Sequence, residues 1–229
     1  LEELFEDVKQ KPLSQKPPLA LISPHAGYVF SGKTAASAFS QIPQNTAYKR
    51  VFVIASSHQF LFGGASVYKS GNYSTPLGEL KTDIELADKL VKDAEVFHFN
   101  AEAHQFEHSL EVQLPFLQCK LGNNFLLVPV ILGTNNPNDC KEIAKVLQPY
   151  FQPENLFVIS TDFSHYPEYE EAVDNDKDTA RAICSNNPQK LRQALKINEK
   201  KKIRHLATSL CGWTSVLTLL YLTENKDVT

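Results

Sequence analysis

The sequence lacks the features that mark membrane, disulfide-rich and nucleic-acid-binding proteins. No apolar run reaches the roughly 18 residues that a membrane-spanning helix needs, and the mostly polar and charged residues 1–16 predict no signal peptide. With a net charge of −3, the chain lacks the excess of positive charge that binds the phosphates of nucleic acid. The four cysteines lie far apart without a CxxC pair, which favours reduced thiols. We therefore expect a cytoplasmic protein that binds neither nucleic acid nor membrane.

Common catalytic and nucleotide-binding signatures are absent as well. The sequence matches neither GxGxxG nor GxxxxGK[ST], so nothing indicates a nucleotide site, and it contains no GxSxG. Glu107-His108 superficially resembles the HExxH helix of zinc peptidases, but the second histidine is missing. No linker rich in Gly or Ser divides the 229 residues, a length that suits one α/β domain. We predict a single domain over 1–229, with a C-terminal strand that only begins at 227–229.

Short apolar runs alternate with helical segments along the whole chain. The runs at 19–23, 51–55, 125–132 and 156–161 predict buried strands. Helices are predicted at 31–41, 83–91, 107–119, 138–150, 168–184, 188–195 and 208–223. Pro115 must kink or divide the third of these helices. The alternation predicts a single-domain α/β/α sandwich with a mostly parallel central sheet and helices on both faces.

Three of the predicted strands run into a histidine. His25 follows the first strand, His58 follows the second, and His165 follows the strand that ends at 161. Because ligands bind at the carboxyl edge of a parallel sheet, we expect these ends to form one site. A lone histidine there is often structural, but two imidazoles on adjacent strand ends suit Zn, Fe or Cu. The pattern predicts His25 and His58 as metal ligands.

Two further pairs of side chains have spacings that suit a pocket. Asp162 and His165 are three residues apart and can face the same pocket. Asp162 is then either a metal ligand or a carboxylate that orients an imidazole, and His165 is a general acid or base. The alternative is that Asp162 only caps the following turn. His108 and Glu111 share one predicted helix face and either line the pocket or affect the charge at a helix start. Cys211, at the start of an apolar helix, is predicted to be a small buried hydrophobe.

Four blocks of sequence together resemble one known family. They are PHAGYVFSG at 24–32, SSH at 56–58, EHSLEVQLPFLQ at 107–118 and STDFSHY at 160–166. They look like the Memo family, whose prokaryotic members are called AmmeMemoRadiSam system protein B. The resemblance implies the fold of the class III extradiol dioxygenases, which are non-haem iron enzymes with an α/β sheet between layers of helices.

The resemblance also implies a set of site residues. The family's metal pocket uses the histidines that correspond to His25 and His58, and the residues that correspond to Asp162 and His165 line the same pocket. The third ligand, a cysteine in the animal member, is expected beyond the end of this chain, and Cys211 is not expected to occupy its position.

The function implied by the resemblance is metal-dependent redox chemistry with iron or copper, or else zinc, as the cofactor. Reported roles of the animal member include cell-motility signalling through phosphotyrosine peptides, and the prokaryotic genes accompany a radical SAM protein and an AMMECR-type protein. These two proteins, and a small-molecule or peptide substrate, are the expected partners. Two other hypotheses remain: a non-catalytic module that binds a peptide or partner in the old active-site pocket, and a zinc-type metallohydrolase.

Overall fold

The fold is described from a computed structural model that covers residues 1–8, 12–224, 226 and 228. The helices are α1 Glu2–Glu6, α2 Tyr28–Phe39, α3 Ile84–Asp93, α4 Ala101–Gln105, α5 His108–Glu111, α6 Gln113–Leu121, α7 Pro137–Leu147, α8 Tyr169–Cys184, α9 Pro188–Lys200 and α10 Trp213–Thr223. The strands are β1 Ala20–Ser23, β2 Arg50–Ser56, β3 Ala65–Val67, β4 Tyr73–Thr75, β5 Gly78–Leu80, β6 Phe97–His98, β7 Leu126–Leu132 and β8 Asn155–Ser160. The strand predicted to begin at 227–229 lies outside the described residues.

The central sheet has six strands in the order β1-β8-β2-β7-β3-β6. The first four are mutually parallel, and only β3 runs antiparallel to its neighbour β7. Ser160 of β8 pairs in register with Ser23 of β1 and Ala55 of β2, so the carboxyl ends of these three strands are level. All four predicted strands exist, and the predicted mostly parallel sheet is confirmed.

The sheet is buried on both faces, as the continuous apolar runs require. Along β2, Phe52 and Ile54 belong to the core layer beneath α7 and α10, whereas Val51 and Val53 belong to the opposite layer beneath α2 and α6. Helices therefore cover both faces, which confirms the α/β/α sandwich. In the described part of the chain, no helix is long and apolar enough to cross a membrane.

Two helices differ from the sequence expectation in ways that affect the site. The predicted helix 107–119 is divided at Val112 into α5 and α6, because Pro115 lacks an N–H and its ring would clash with the carbonyl of Glu111. The helix predicted over 208–223 begins only at Trp213. Cys211 and Gly212 therefore lie in the segment that leads into α10 and packs against the end of β8.

Candidate metal centre

The predicted histidines converge where three neighbouring parallel strands end. His25 follows β1, His58 follows β2 and Asp162 follows β8, which lies between the other two. The imidazole centroids of His25 and His58 are 5.0 Å apart, so the predicted proximity of these rings is confirmed. That they bind a metal remains a prediction.

A chain of hydrogen bonds determines the tautomer of His25, whose ring is buried. The hydroxyl of Ser160 donates its single proton to the carbonyl of Ser109, at 2.6 Å. Its oxygen must therefore accept from both Gln113 Nε2, at 3.0 Å, and His25 Nδ1, at 2.8 Å. His25 accordingly carries a proton on Nδ1, and its Nε2 faces the site.

His58 is held in the same orientation by the buried carboxylate of Glu107. Its Nδ1 donates to Oε1 at 2.9 Å, and its backbone N–H donates to Oε2 at 2.7 Å. Burial alone would raise the pKa of Glu107, but hydrogen bonds from His58 and Ser109 lower it to about 2. An ionised carboxylate on Nδ1 is the usual support of a metal-binding imidazole, since it leaves Nε2 free for the metal.

Cys211 completes a cluster of three donor atoms, and it is only partly buried, whereas the sequence predicts a small buried hydrophobe. One ligand atom each from His25, His58 and Cys211 lies within 4.8 Å of the others, and Sγ is 3.2 Å from His25 Nε2. Burial raises the pKa of the thiol, but hydrogen bonds with both histidines and with the Asp162 N–H, at 3.1 Å from Sγ, lower it to about 5. At neutral pH the side chain is therefore a thiolate. A third donor thus lies within this chain, where none was expected.

Asp162 and His165 face the same cluster. Oδ1 of Asp162 accepts the backbone N–H of His25 at 2.7 Å and that of Ala26 at 3.3 Å, which fixes the turn that carries the first histidine. Its Oδ2 lies 3.8 Å from His25 Nε2 and 4.0 Å from His165 Nε2. The pair therefore borders the ligand cluster, while the proposed proton-transfer roles remain predictions.

His108 lies near the cluster, whereas Glu111 does not contact it. The ring centroid of His108 is 5.5 Å from that of His25 and 5.3 Å from that of His58. Burial, followed by the charges of those two rings, lowers the pKa of His108. Glu111 is exposed at the end of α5, and no hydrogen bond or ion pair of the described residues joins it to the histidines.

The motif order and the geometry agree with one protein family. The family model described as Memo-like protein matches residues 1–229. The chain belongs to the Memo family. A MEMO1 family protein of Thermoplasma acidophilum is 32% identical over 208 residues, which cover 91% of this chain and 74% of the relative. The memo-1 homolog of Caenorhabditis elegans is 32% identical over 223 residues, covering 90% of this chain and 61% of the relative.

A solved structure shares the fold of this chain at low sequence identity. An uncharacterized protein of Escherichia coli K12 superposes with a TM-score of 0.55 at 17% identity, and the match covers 89% of this chain and 86% of the other. At that identity the likeness concerns the fold alone.

In this Memo family member a cavity of about 320 Å³ opens onto the ligand cluster. Its polar lining includes His58, Cys211 and Thr134, and its apolar lining includes Leu61 and Trp213. A cavity of this size lies at the small end of the range seen for ligand pockets. It gives a small molecule or a single side chain access to the donor atoms.

Glu107→Gln tests the carboxylate behind His58. The amide has only one acceptor oxygen, so it cannot accept from both the ring and the backbone N–H of His58. We expect metal affinity to fall about 10–100-fold, as is typical for the loss of a group that supports a ligand. Affinity is measured by competition with a coloured chelator. Glu111→Gln, on the same short helix, is the matched control and should change nothing; an equal loss in both variants would contradict this assignment and support a pocket role for Glu111.

Gly212→Ala tests how Cys211 is positioned. A Cβ at Gly212 would lie 2.5 Å from the carbonyl oxygen of Ser160 and 2.7 Å from Thr161 Cβ, so the segment must move away from β8. We expect unfolding in urea to show a loss of about 1–3 kcal/mol, the usual cost of overpacking, together with weaker metal binding. Gly63→Ala is the control, because a Cβ there meets nothing within 4 Å. Unchanged stability and metal affinity in Gly212→Ala would refute the close-packing argument.

Proposed function

We propose that this Memo protein binds one redox-active metal ion, iron or copper, through His25, His58 and Cys211. The observation that supports the proposal most directly is that one donor atom of each residue lies within 4.8 Å of the other two. Both imidazoles have their Nδ1 occupied by a hydrogen-bond partner, so both direct Nε2 to the shared space. Such convergence is unusual without a ligand to bind.

The chemistry of the donors fits a transition metal. Neutral imidazole nitrogens suit Zn, Cu and Fe, and a thiolate adds preference for soft ions. The low pKa of Cys211 supplies the thiolate at neutral pH. Three protein donors also leave a position open towards the cavity, which is the pattern of catalytic rather than structural sites.

The residues around the donors would control protons and orientation. A redox metal bound here would supply electron transfer to or from a molecule in the cavity. Glu107 holds the Nδ1 proton of His58, and Ser160 holds that of His25. His165, with Asp162 Oδ2 at 4.0 Å, is the group to which we assign proton transfer. Dioxygenase-like redox chemistry on a small molecule or peptide is the proposed activity.

A zinc-type metallohydrolase is the second candidate, and the thiolate favours it. Two imidazoles and one thiolate with an open fourth position also form a catalytic zinc set. Asp162 and His165 would then handle the protons of an activated water. The proposed association with radical SAM and AMMECR-type proteins rests on the family resemblance alone.

A metal titration with proton counting tests the proposal. The pKa of Cys211 is near 5, and hydrogen bonds with Cys211 and Glu107 raise the pKa of His58 to about 10. Between these values the pair holds one proton, which a metal must displace. We expect one metal per chain, one proton released at pH 8, and affinity that falls about tenfold for each pH unit lowered towards 5. Below about pH 5 the thiolate is protonated as well, so the fall becomes steeper.

The measurement is calorimetry in two buffers of different ionisation enthalpy, with elemental analysis of protein purified with and without air. Iron or copper in the purified protein supports the redox proposal, and zinc alone supports the hydrolase. No saturable binding of any of the three metals would refute both candidates and leave the non-catalytic binding module.

A further inference from the structure

A second cavity shares one lining residue, Trp213, with the cavity at the ligand cluster. It has a volume of about 470 Å³ and lies between α9 and the segment that leads into α10. Leu195, Leu206 and Trp213 provide much of its apolar wall, and Arg192, Lys196 and Lys202 provide its cationic groups. None of the residues proposed to bind metal lines it.

The charges of this cavity are unbalanced. Three cationic side chains line it against one carboxylate, that of Glu199. Some cations elsewhere are paired with carboxylates, as Lys69 is with Asp88 and Lys201 with Asp178. Among the described residues, no carboxylate oxygen lies within 4.0 Å of the three lining cations. Like charges gathered around a concave apolar surface attract an anion of matching shape.

Trp213 adds a hydrogen-bond donor to the wall of the cavity. Its indole N–H donates to none of the described residues. Asn198 also belongs to the wall, but its unpaired Oδ1 is fully buried and does not face the cavity. The cavity therefore offers a flat aromatic surface beside three cationic side chains.

We propose that this cavity binds a small organic anion that carries a flat apolar ring. Aromatic carboxylates, sulfonates and phosphates belong to this class. The anionic group lies among Arg192, Lys196 and Lys202, and the ring packs against the indole of Trp213. The site is separate from the metal centre, so the proposal does not depend on the proposed metal chemistry.

The experiment uses 8-anilinonaphthalene-1-sulfonate as the probe, because this molecule has an aromatic body and one negative charge. Trp213 is the only tryptophan, so quenching of its fluorescence reports binding close to it. We expect saturable binding at one site per chain. Arg192→Gln combined with Lys196→Gln should weaken it roughly tenfold or more, since a hydrogen bond to a charged group contributes about 1.5–3 kcal/mol. Higher salt should weaken it further.

The matched control is Lys190→Gln combined with Lys200→Gln, which removes two charges from the same helix outside the cavity. It should change the dissociation constant by less than about twofold, the scale expected for screened surface charges. The neutral analogue N-phenyl-1-naphthylamine should bind wild type more weakly than the sulfonate does. Equal binding of the two probes would overturn the proposal. So would equal loss in both double variants, or Arg192/Lys196 variants that fold normally and bind the sulfonate as wild type does.

Discussion

Replacing Cys211 with Ala should reduce metal affinity by more than about 100-fold. The thiolate is one of three proposed donors, and losing a donor should exceed the roughly 10–100-fold typical of a supporting group. The same change should abolish the sulfur-to-metal charge-transfer absorption expected when Cu(II) is added. Affinity is measured by chelator competition and the absorption by optical titration.

The control for this variant is Cys184→Ala, since Cys184 is an exposed cysteine at the end of α8. It should bind metal as wild type does. If Cys211→Ala retained full affinity, the thiol would be a packing residue after all, and the third donor would have to be sought among His108, Asp162 and His165.

His25→Ala and His165→Ala should separate metal binding from proton transfer. Removing the buried imidazole of His25 takes away a proposed ligand, so metal binding should fall by more than about 100-fold. His165 lies 4.0 Å from Asp162 Oδ2, and we assign it a role in proton transfer rather than in metal binding. Its loss should leave most metal bound and lower turnover by roughly 10²–10⁴.

The measurement for this pair is a metal titration of each variant, alongside oxygen uptake by the metal-loaded protein with ascorbate as reductant. His205→Ala, at an exposed histidine outside the site, is the control. Equal metal loss in both test variants would make His165 a ligand. Normal affinity in His25→Ala would mean that the pocket is not organised around that residue.

The sheet and two of the proposed ligands could be predicted because their signals are local. Each parallel strand is an apolar run, and His25 and His58 follow directly where those runs end. Parallel pairing then brings strand ends together without any information about distant side chains.

Cys211 and Glu107 were missed because their roles depend on long-range contacts. The apolar run after residue 212 suggested a helix that contained the cysteine, whereas the helix starts at Trp213. Gly212 was the available signal, since glycine is unfavourable inside a helix and often marks its boundary or a close approach. Glu107 supports a histidine 49 positions earlier in the chain, and no sequence spacing reveals such a pairing.

The positions of the proposed donors along the chain determine whether metal binding precedes or follows folding. Cys211 meets His25 across 186 positions of sequence, and the crossovers of the parallel sheet must be complete before that contact exists. Contacts of such separation form late in folding because their loop-closure entropy must be offset first. A metal ion bound by these donors would therefore not template this fold as zinc does in small fingers. It would enter a folded protein, and at a free concentration 100 times its dissociation constant it would add about 2.7 kcal/mol to stability. The supply of metal in the cell would then determine which fraction of the folded protein is active, but not which fraction of the protein folds.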